Sequence, residues 1–157
     1  MKIAFDQAEP LDSAVQDLVE SLCFAEAHRD GSGLESADLC WSAIALLEPG
    51  PAELVIAMGR DLLVEFADAS WGAAPDDEDL TDFRMELVNA IGGRYLAILS
   101  PDARIRLGMP TAGEGRIAAG SSVLQAARYD VDGELLLVVV RRTSEDRSSG
   151  DEHATEA

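Results

Sequence analysis

Cysteine and histidine are scarce in this chain of 157 residues, which contains two of each. Cys23 and Cys40 lie in apolar segments without CxxC spacing, and His28 and His153 are far apart in the sequence. A disulfide framework needs more cysteines, and a structural zinc site needs closely spaced Cys and His ligands. The sequence therefore predicts buried free thiols, no metal site and a reducing, cytoplasmic environment.

Basic residues are also few, since 12 Lys and Arg stand against 30 Asp and Glu, for a formal net charge of −18. Such a chain cannot neutralise a row of phosphates, which excludes nucleic acid and argues against anionic membrane surfaces. The N-terminus has no apolar run of signal-peptide length, and no uncharged apolar stretch reaches the roughly 18 residues of a membrane span. We expect a soluble, cytoplasmic protein.

Hydrophobic periodicity and turn signals predict an α+β domain with the order α-β-β-α-α-β-β-β. Pro-Gly-Pro at 49–51 and Asp132-Gly133 each predict an antiparallel hairpin, and GMPTAGEG at 108–115 is expected to be a loop. The resulting antiparallel sheet should be covered on one face by helices. The helices are predicted over residues 13–28, 60–70 and 79–99, and the strands over 38–47, 53–58, a short run around 105–107, 122–129 and 134–142.

The chain length fits a single domain, which we place at residues 1–142. Residues 143–157 contain five acids and one arginine without apolar periodicity, so they are expected to be an acidic disordered tail. The last predicted strand, ELLLVVVRR, is apolar on both faces. Such a strand either lies inside the sheet or pairs with another chain, and the sequence leaves both alternatives open.

A narrow polar stripe interrupts the most apolar segment of the chain, DLTDFRMELVNAIGGRYLAIL. In a helix, Asp82, Glu86, Asn89 and Gly93 would fall at i, i+4, i+7 and i+11 on one face. Asn89 is the only asparagine in the chain, and Gly92-Gly93 follows it one turn later. Each glycine costs about 1 kcal/mol relative to alanine in a helix interior, so their presence indicates a site. The alternative is that the stripe is simply the solvated side of a surface helix.

The segment Glu86-Leu-Val-Asn89-Ala-Ile-Gly92 resembles the Glu-x-x-Asn signature of the CheX-type chemotaxis phosphatases, relatives of CheC and FliY. The element order is similar, a short helix ending in Trp71-Gly72 precedes the motif helix, and Met109-Pro110-Thr111 resembles the Pro-containing loop of that family. The resemblance covers roughly residues 11–142 and depends mostly on the motif and the order of the segments. It implies a CheC-like fold.

The resemblance also implies a function, namely hydrolysis of the aspartyl phosphate on a CheY-like response regulator. Asn89 would orient the attacking water, and Glu86 would contact the regulator and fix its docking register. We assign Asp82, Gly92 and Gly93 to contact with the same partner, because small residues let another surface approach closely. No intrinsic cofactor is implied, and Mg²⁺ is expected on the partner regulator.

Two alternatives accompany that reading. Relatives in the flagellar switch share the fold without the motif, so a catalytically inactive interaction module is the second hypothesis. Proteins of the resembled family can also dimerise through sheet edges, which makes a homodimer possible. No strong base lies near the motif in the sequence, and none is needed, because an acyl phosphate already has a good leaving group.

Overall fold

The computed structural model describes residues 3–72, 74–117 and 122–143, and within them the chain forms three helices and one seven-stranded antiparallel sheet. The predicted α+β class is confirmed. The elements in chain order are α1 (Ala8–Cys23), β1 (His28–Ser32), β2 (Leu39–Glu48), β3 (Ala52–Met58), α2 (Arg60–Trp71), α3 (Asp77–Leu99), β4 (Arg106–Leu107), β5 (Thr111–Gly115), β6 (Val123–Val131) and β7 (Glu134–Arg142).

The strands lie in the order β1-β6-β7-β3-β2-β4, and β5 pairs with β2 beside β4. β7 is therefore an inner strand, hydrogen-bonded to β6 on one side and to β3 on the other. This explains why ELLLVVVRR is apolar on both faces, and it selects the inner-strand alternative for that segment. Within the described sheet, the outermost strands are β1 at one side and β4 with β5 at the other.

The two faces of the sheet belong to separate hydrophobic clusters. One face packs against the three helices and contributes side chains such as Ile44, Ile56 and Val138 to the main core. The other face carries a smaller buried cluster that includes Val55, Val139 and Ile117. Helices therefore cover one face of the sheet, as predicted. None of the helices in the described parts of the chain is both long and apolar enough to cross a lipid bilayer.

Both predicted hairpins are confirmed. β2 and β3 pair from Cys40↔Met58 to Leu46↔Ala52 around the Pro-Gly-Pro connector. β6 and β7 meet at Asp132 and Gly133, whose φ angles are 52° and 85°. Positive φ at both central residues is the requirement of a type I′ turn, which explains why glycine is needed at the second of them.

The first helix and two strands differ from the prediction. α1 begins at Ala8 and ends at Cys23, where Phe24 turns the chain with φ 56°, so the predicted span of 13–28 is wrong at both ends. His28 opens β1, a strand that the sequence did not indicate because its side chains are mostly exposed. β5 lies where a loop was predicted, and it is held by pairing of Leu39–Ala43 with Thr111–Gly115. The acidic tail falls outside the described residues from position 144 onward.

Candidate functional site

Helix α3 carries the candidate site, and its start is well defined. Asp76 is the N-cap, its carboxylate accepting from the Asp79 backbone N–H at 2.8 Å, while the Asp79 carboxylate accepts from the Asp76 N–H at 3.1 Å. These two hydrogen bonds form a capping box at the start of α3. Asp77, Glu78 and Asp79 in the first turn add negative charge where the helix dipole is positive. The cap fixes where the helix begins.

Glu86 and Asn89 project into solvent from α3, as does Asp82 one turn earlier. The opposite side of the helix is buried against the sheet and the other helices. Glu86 and Asn89 are three residues apart, so they are neighbours on the helix surface, about 4.5 Å apart along its axis. Both side chains are thus accessible to a second macromolecule. The buried residues of α3 are Leu80, Phe83, Arg84, Leu87, Val88, Ile91, Gly92, Tyr95 and Leu96.

The two glycines after Asn89 occupy different environments. A Cβ atom on Gly92 would lie 3.2 Å from Ile44 Cγ2 and 3.5 Å from Leu46 Cδ2, both on β2. Gly92 is buried, and the surface that approaches it closely is the protein's own sheet. We had assigned Gly92 to contact with a partner, and its position against β2 does not fit that assignment. Gly93 is partly exposed, and a Cβ there would only reach Leu107 Cδ1 at 3.8 Å. Of the pair, Gly93 alone borders the exposed stripe.

Arg84 lies on the buried side of α3, with only 6% of its surface exposed. Its backbone carbonyl accepts a hydrogen bond from Ser42 Oγ at 2.8 Å, which ties the helix to β2. Its Nε atom has no hydrogen-bond partner among the described residues. The contact with Ser42 and the packing of Gly92 on Ile44 define how α3 lies along β2.

The edge of the sheet beside the stripe contains a β-bulge. Gly108 N–H donates to the Ala45 carbonyl at 2.9 Å, and Thr111 is paired with Ala43. Two residues, Met109 and Pro110, therefore stand opposite a single residue of β2. Proline is acceptable there because its missing N–H interrupts no ladder bond. Met109 is 86% exposed.

The stripe offers two carboxylates and a carboxamide but no strong nucleophile. The Cys23 thiol is buried, and burial raises its pKa from 9.0 to about 12, so it is protonated at neutral pH. His28 lies on β1, where its Nε2 contacts Glu26 at 3.2 Å. Among the described residues, no group of three or more His, Cys, Asp and Glu is arranged to hold a metal ion. A carboxamide stays neutral and can donate and accept hydrogen bonds at once, which suits the positioning of a water molecule.

Glu86 and Asn89 lie on the outer, exposed side of α3. One cavity of the described structure, about 310 Å³ in volume, lies where the N-terminal segment meets β6 and β7 around Phe5, Leu124 and Arg142, away from the stripe. Small-molecule sites are usually concave and enclosed. An exposed polar pair on the outer side of a helix is better suited to another macromolecule than to a free metabolite.

The architecture is that of the CheX/CheC-type proteins, a fold class shared by several solved structures. No family model matches the sequence, and no curated protein matches it either. CheX from Desulfovibrio desulfuricans superposes with a TM-score of 0.69 at 16% identity, covering 85% of this chain and 96% of that one. The CheX–CheY–BeF3–Mg²⁺ complex from Borrelia burgdorferi gives 0.66 at 16% identity, covering 86% and 97%. FliY from Thermotoga maritima gives 0.61 at 13% identity, covering 94% and 90%. The expected CheC-like fold is confirmed.

Proposed function

We propose that this protein accelerates hydrolysis of the aspartyl phosphate on a CheY-like response regulator. The observation that carries the proposal is the pair Glu86 and Asn89, adjacent and exposed on α3 of a CheX-type fold. A protein of that fold has been solved with CheY, BeF3 and Mg²⁺. Asn89 orients the attacking water, and Glu86 docks the regulator through a basic side chain.

The chemistry requires little from this chain. Water attacks the phosphorus atom, the bond from phosphorus to the aspartyl oxygen breaks, and inorganic phosphate and a free carboxylate are released. The regulator supplies the leaving group and its own Mg²⁺, so the missing element is a water held in line with the breaking bond. The Asn89 carboxamide can accept a hydrogen bond from that water while its N–H groups face the phosphoryl oxygens. An aspartate at the same position would repel the phosphoryl group.

Electrostatics give Glu86 and Asp82 a role in orientation. The formal charge of −18 opposes association with an acidic surface at long range, so a regulator must be held by local contacts. Two carboxylates on one side of α3 favour a partner that presents a cationic group there. Asp82 and Gly93 extend the same surface by one turn on either side of the pair.

The decisive experiment measures how long the aspartyl phosphate lasts on a CheY-type receiver with and without this protein. Each receiver of the organism that carries this chain is tested in turn. The wild-type protein should shorten that lifetime, and Asn89→Asp should reduce the effect by about 100-fold or more, since mispositioning alone can cost that much. Glu86→Gln should weaken binding as well as rate. Glu65→Gln, which removes an exposed carboxylate from α2, is the charge-matched control. If saturating wild-type protein leaves every receiver's phosphate lifetime unchanged, the phosphatase proposal is wrong.

The second candidate is a catalytically inactive interaction module. The fold alone does not require catalysis, since one fold can host different functions, and the flagellar protein FliY shares it at a TM-score of 0.61. The module would bind a receiver or a second copy of itself with no change in phosphate lifetime. A homodimer formed by pairing of sheet edges would use β1, β4 or β5, which are the outer strands of the described sheet, and not the inner strand β7. The Asn89→Asp variant separates the two candidates, since only the phosphatase loses a measurable rate.

A further inference from the structure

Met109 is the most exposed of the large hydrophobic side chains in the described structure, at 86%. Single exposed apolar residues are common on protein surfaces and need no special explanation. Met109 differs because the backbone around it is fixed on both sides. The Gly108 N–H donates to the Ala45 carbonyl, and a Cβ atom added to Gly108 would lie only 3.2 Å from the Ala45 Cβ. On the other side, Thr111 pairs with Ala43 of β2.

The register of the strands places this bulge beside the Glu86–Asn89 pair. Met109 and Pro110 stand opposite Ile44, and Ile44 is the residue that packs beneath Gly92 of α3. Asn89 lies one helical turn before Gly92, about 4.5 Å along the axis. The bulge therefore lies at the sheet edge level with the turn of α3 that carries Asn89.

The exposed stripe also faces this same edge. Leu107 on β4 approaches the Cβ positions of Gly92 and Gly93 at 3.7 and 3.8 Å, and Gly93 belongs to the stripe. A partner that covers Asn89 and Gly93 would therefore lie beside Leu107 of β4. β-bulges occur often beside active sites, where they redirect a side chain.

We propose that Met109 is an apolar docking residue for the phosphorylated receiver, adjacent to the Glu86–Asn89 pair. This inference rests on the proposed function and adds a determinant of partner specificity to it. The partner surface it fits is a basic group, facing Glu86 and Asp82, next to an apolar depression that receives the methionine. Methionine suits such a contact because its unbranched thioether adapts to the shape of the surface it meets.

The test compares Met109→Gln, which keeps the length of the side chain but makes it polar, with Met109→Leu, which keeps it apolar. Both are measured against receivers loaded with beryllofluoride and Mg²⁺ for Kd, and against phosphorylated receivers for kcat and KM. Met109→Gln should raise Kd and KM about tenfold, the size of a moderate interface hot spot, with kcat within about twofold. Met109→Leu should restore both. Phe24→Asn is the matched control, because Phe24 is 75% exposed at the end of α1, and asparagine tolerates its positive φ.

Unchanged Kd and KM in Met109→Gln would overturn the inference while leaving the phosphatase proposal intact. A fall in kcat at constant KM would also overturn it, since docking alone cannot produce that result. A lower molar mass of the free Met109→Gln protein would assign the residue to a contact between copies and would likewise refute the receiver contact. If wild-type protein binds loaded receivers without shortening phosphate lifetime, the phosphatase proposal fails, and the Kd comparison still decides the role of Met109. Absence of binding to every receiver would overturn both.

Discussion

The glycine pair of α3 allows a sharp test of which surface the glycines serve. Gly92→Leu and Gly93→Leu gain the same helix propensity, up to about 1 kcal/mol each. At position 92 the Cβ atom alone would lie 3.2, 3.5 and 3.7 Å from methyl groups of Ile44, Leu46 and Leu107, so the rest of a leucine side chain has no free space. At Gly93 a Cβ meets one methyl group at 3.8 Å, and the rest of the side chain can extend toward solvent.

Overpacking a dense core costs about 1–3 kcal/mol, so the two variants should differ in unfolding free energy by that amount. We expect Gly93→Leu to be about 0.5–1 kcal/mol more stable than wild type, and Gly92→Leu to be the less stable of the pair. Urea unfolding followed by tryptophan fluorescence measures this, since Trp71 packs edge-on against Phe83 of α3 at 5.5 Å. Equal stability of the two variants would refute the assignment of Gly92 to helix–sheet packing.

The same variants test the docking surface. If a receiver lies over the stripe, the leucine at position 93 should raise KM in the phosphate-lifetime assay although the protein is more stable. Gly93→Leu with unchanged KM would remove Gly93 from the partner-binding residues. A stabilising substitution that lowers activity cannot be explained by partial unfolding, which makes this readout independent of the fold.

Two further predictions concern buried groups. Arg84→Met should leave the unfolding free energy unchanged or raise it by up to about 2 kcal/mol, because it removes a buried charge whose Nε lacks a partner among the described residues. The Ser42 hydrogen bond goes to the backbone carbonyl of residue 84, so the variant keeps it. A loss above about 2 kcal/mol in urea titration would show instead that the Arg84 side chain makes a stabilising interaction. In a Cys40→Ala background, Cys23 should resist thiol reagents at pH 8 until urea unfolds the protein, because burial raises its pKa to about 12. Between pH 9.0 and 12 the unfolded thiol loses its proton and the folded thiol keeps it, so Cys23 should make the free energy of unfolding fall as the pH rises through that range. Rapid labelling of the folded protein at pH 8 would contradict the burial of this thiol.

Much of the fold and the exposed pair could be predicted because the relevant signals are local. The polar stripe of α3, the Pro-Gly-Pro turn and the Asp132-Gly133 turn are each set by residues within a few positions of one another. β1 and β5 were missed because edge strands carry little hydrophobic alternation and are defined by the strands that pair with them. The end of α1 was missed because Phe24, a residue without preference for positive φ, makes the turn.

The role of Gly92 illustrates a further limit of sequence reasoning. A glycine in a helix indicates that some backbone or side chain approaches closely, but it does not say from which side. The inference from the sequence was that a partner approaches. The coordinates place Ile44 and Leu46 of the protein's own sheet at that position instead. Only the tertiary packing could separate Gly92, which faces inward, from Gly93, which borders the surface.

That packing also links stability to the proposed chemistry. Because Gly92 lets α3 lie directly on β2, the turn that carries Asn89 is brought level with the bulge at Met109 on the sheet edge. A bulkier residue at position 92 would lift the helix from Ile44 and change the height of Asn89 relative to Met109. Gly92→Leu should therefore lose catalytic rate even under conditions where it is fully folded, because a displacement of about 1 Å can cost about 100-fold when a reacting water must be held in line. If folded Gly92→Leu protein keeps the wild-type kcat, the packing of α3 on β2 does not control the position of Asn89. Any effect of Met109 on docking would then be independent of how the helix packs.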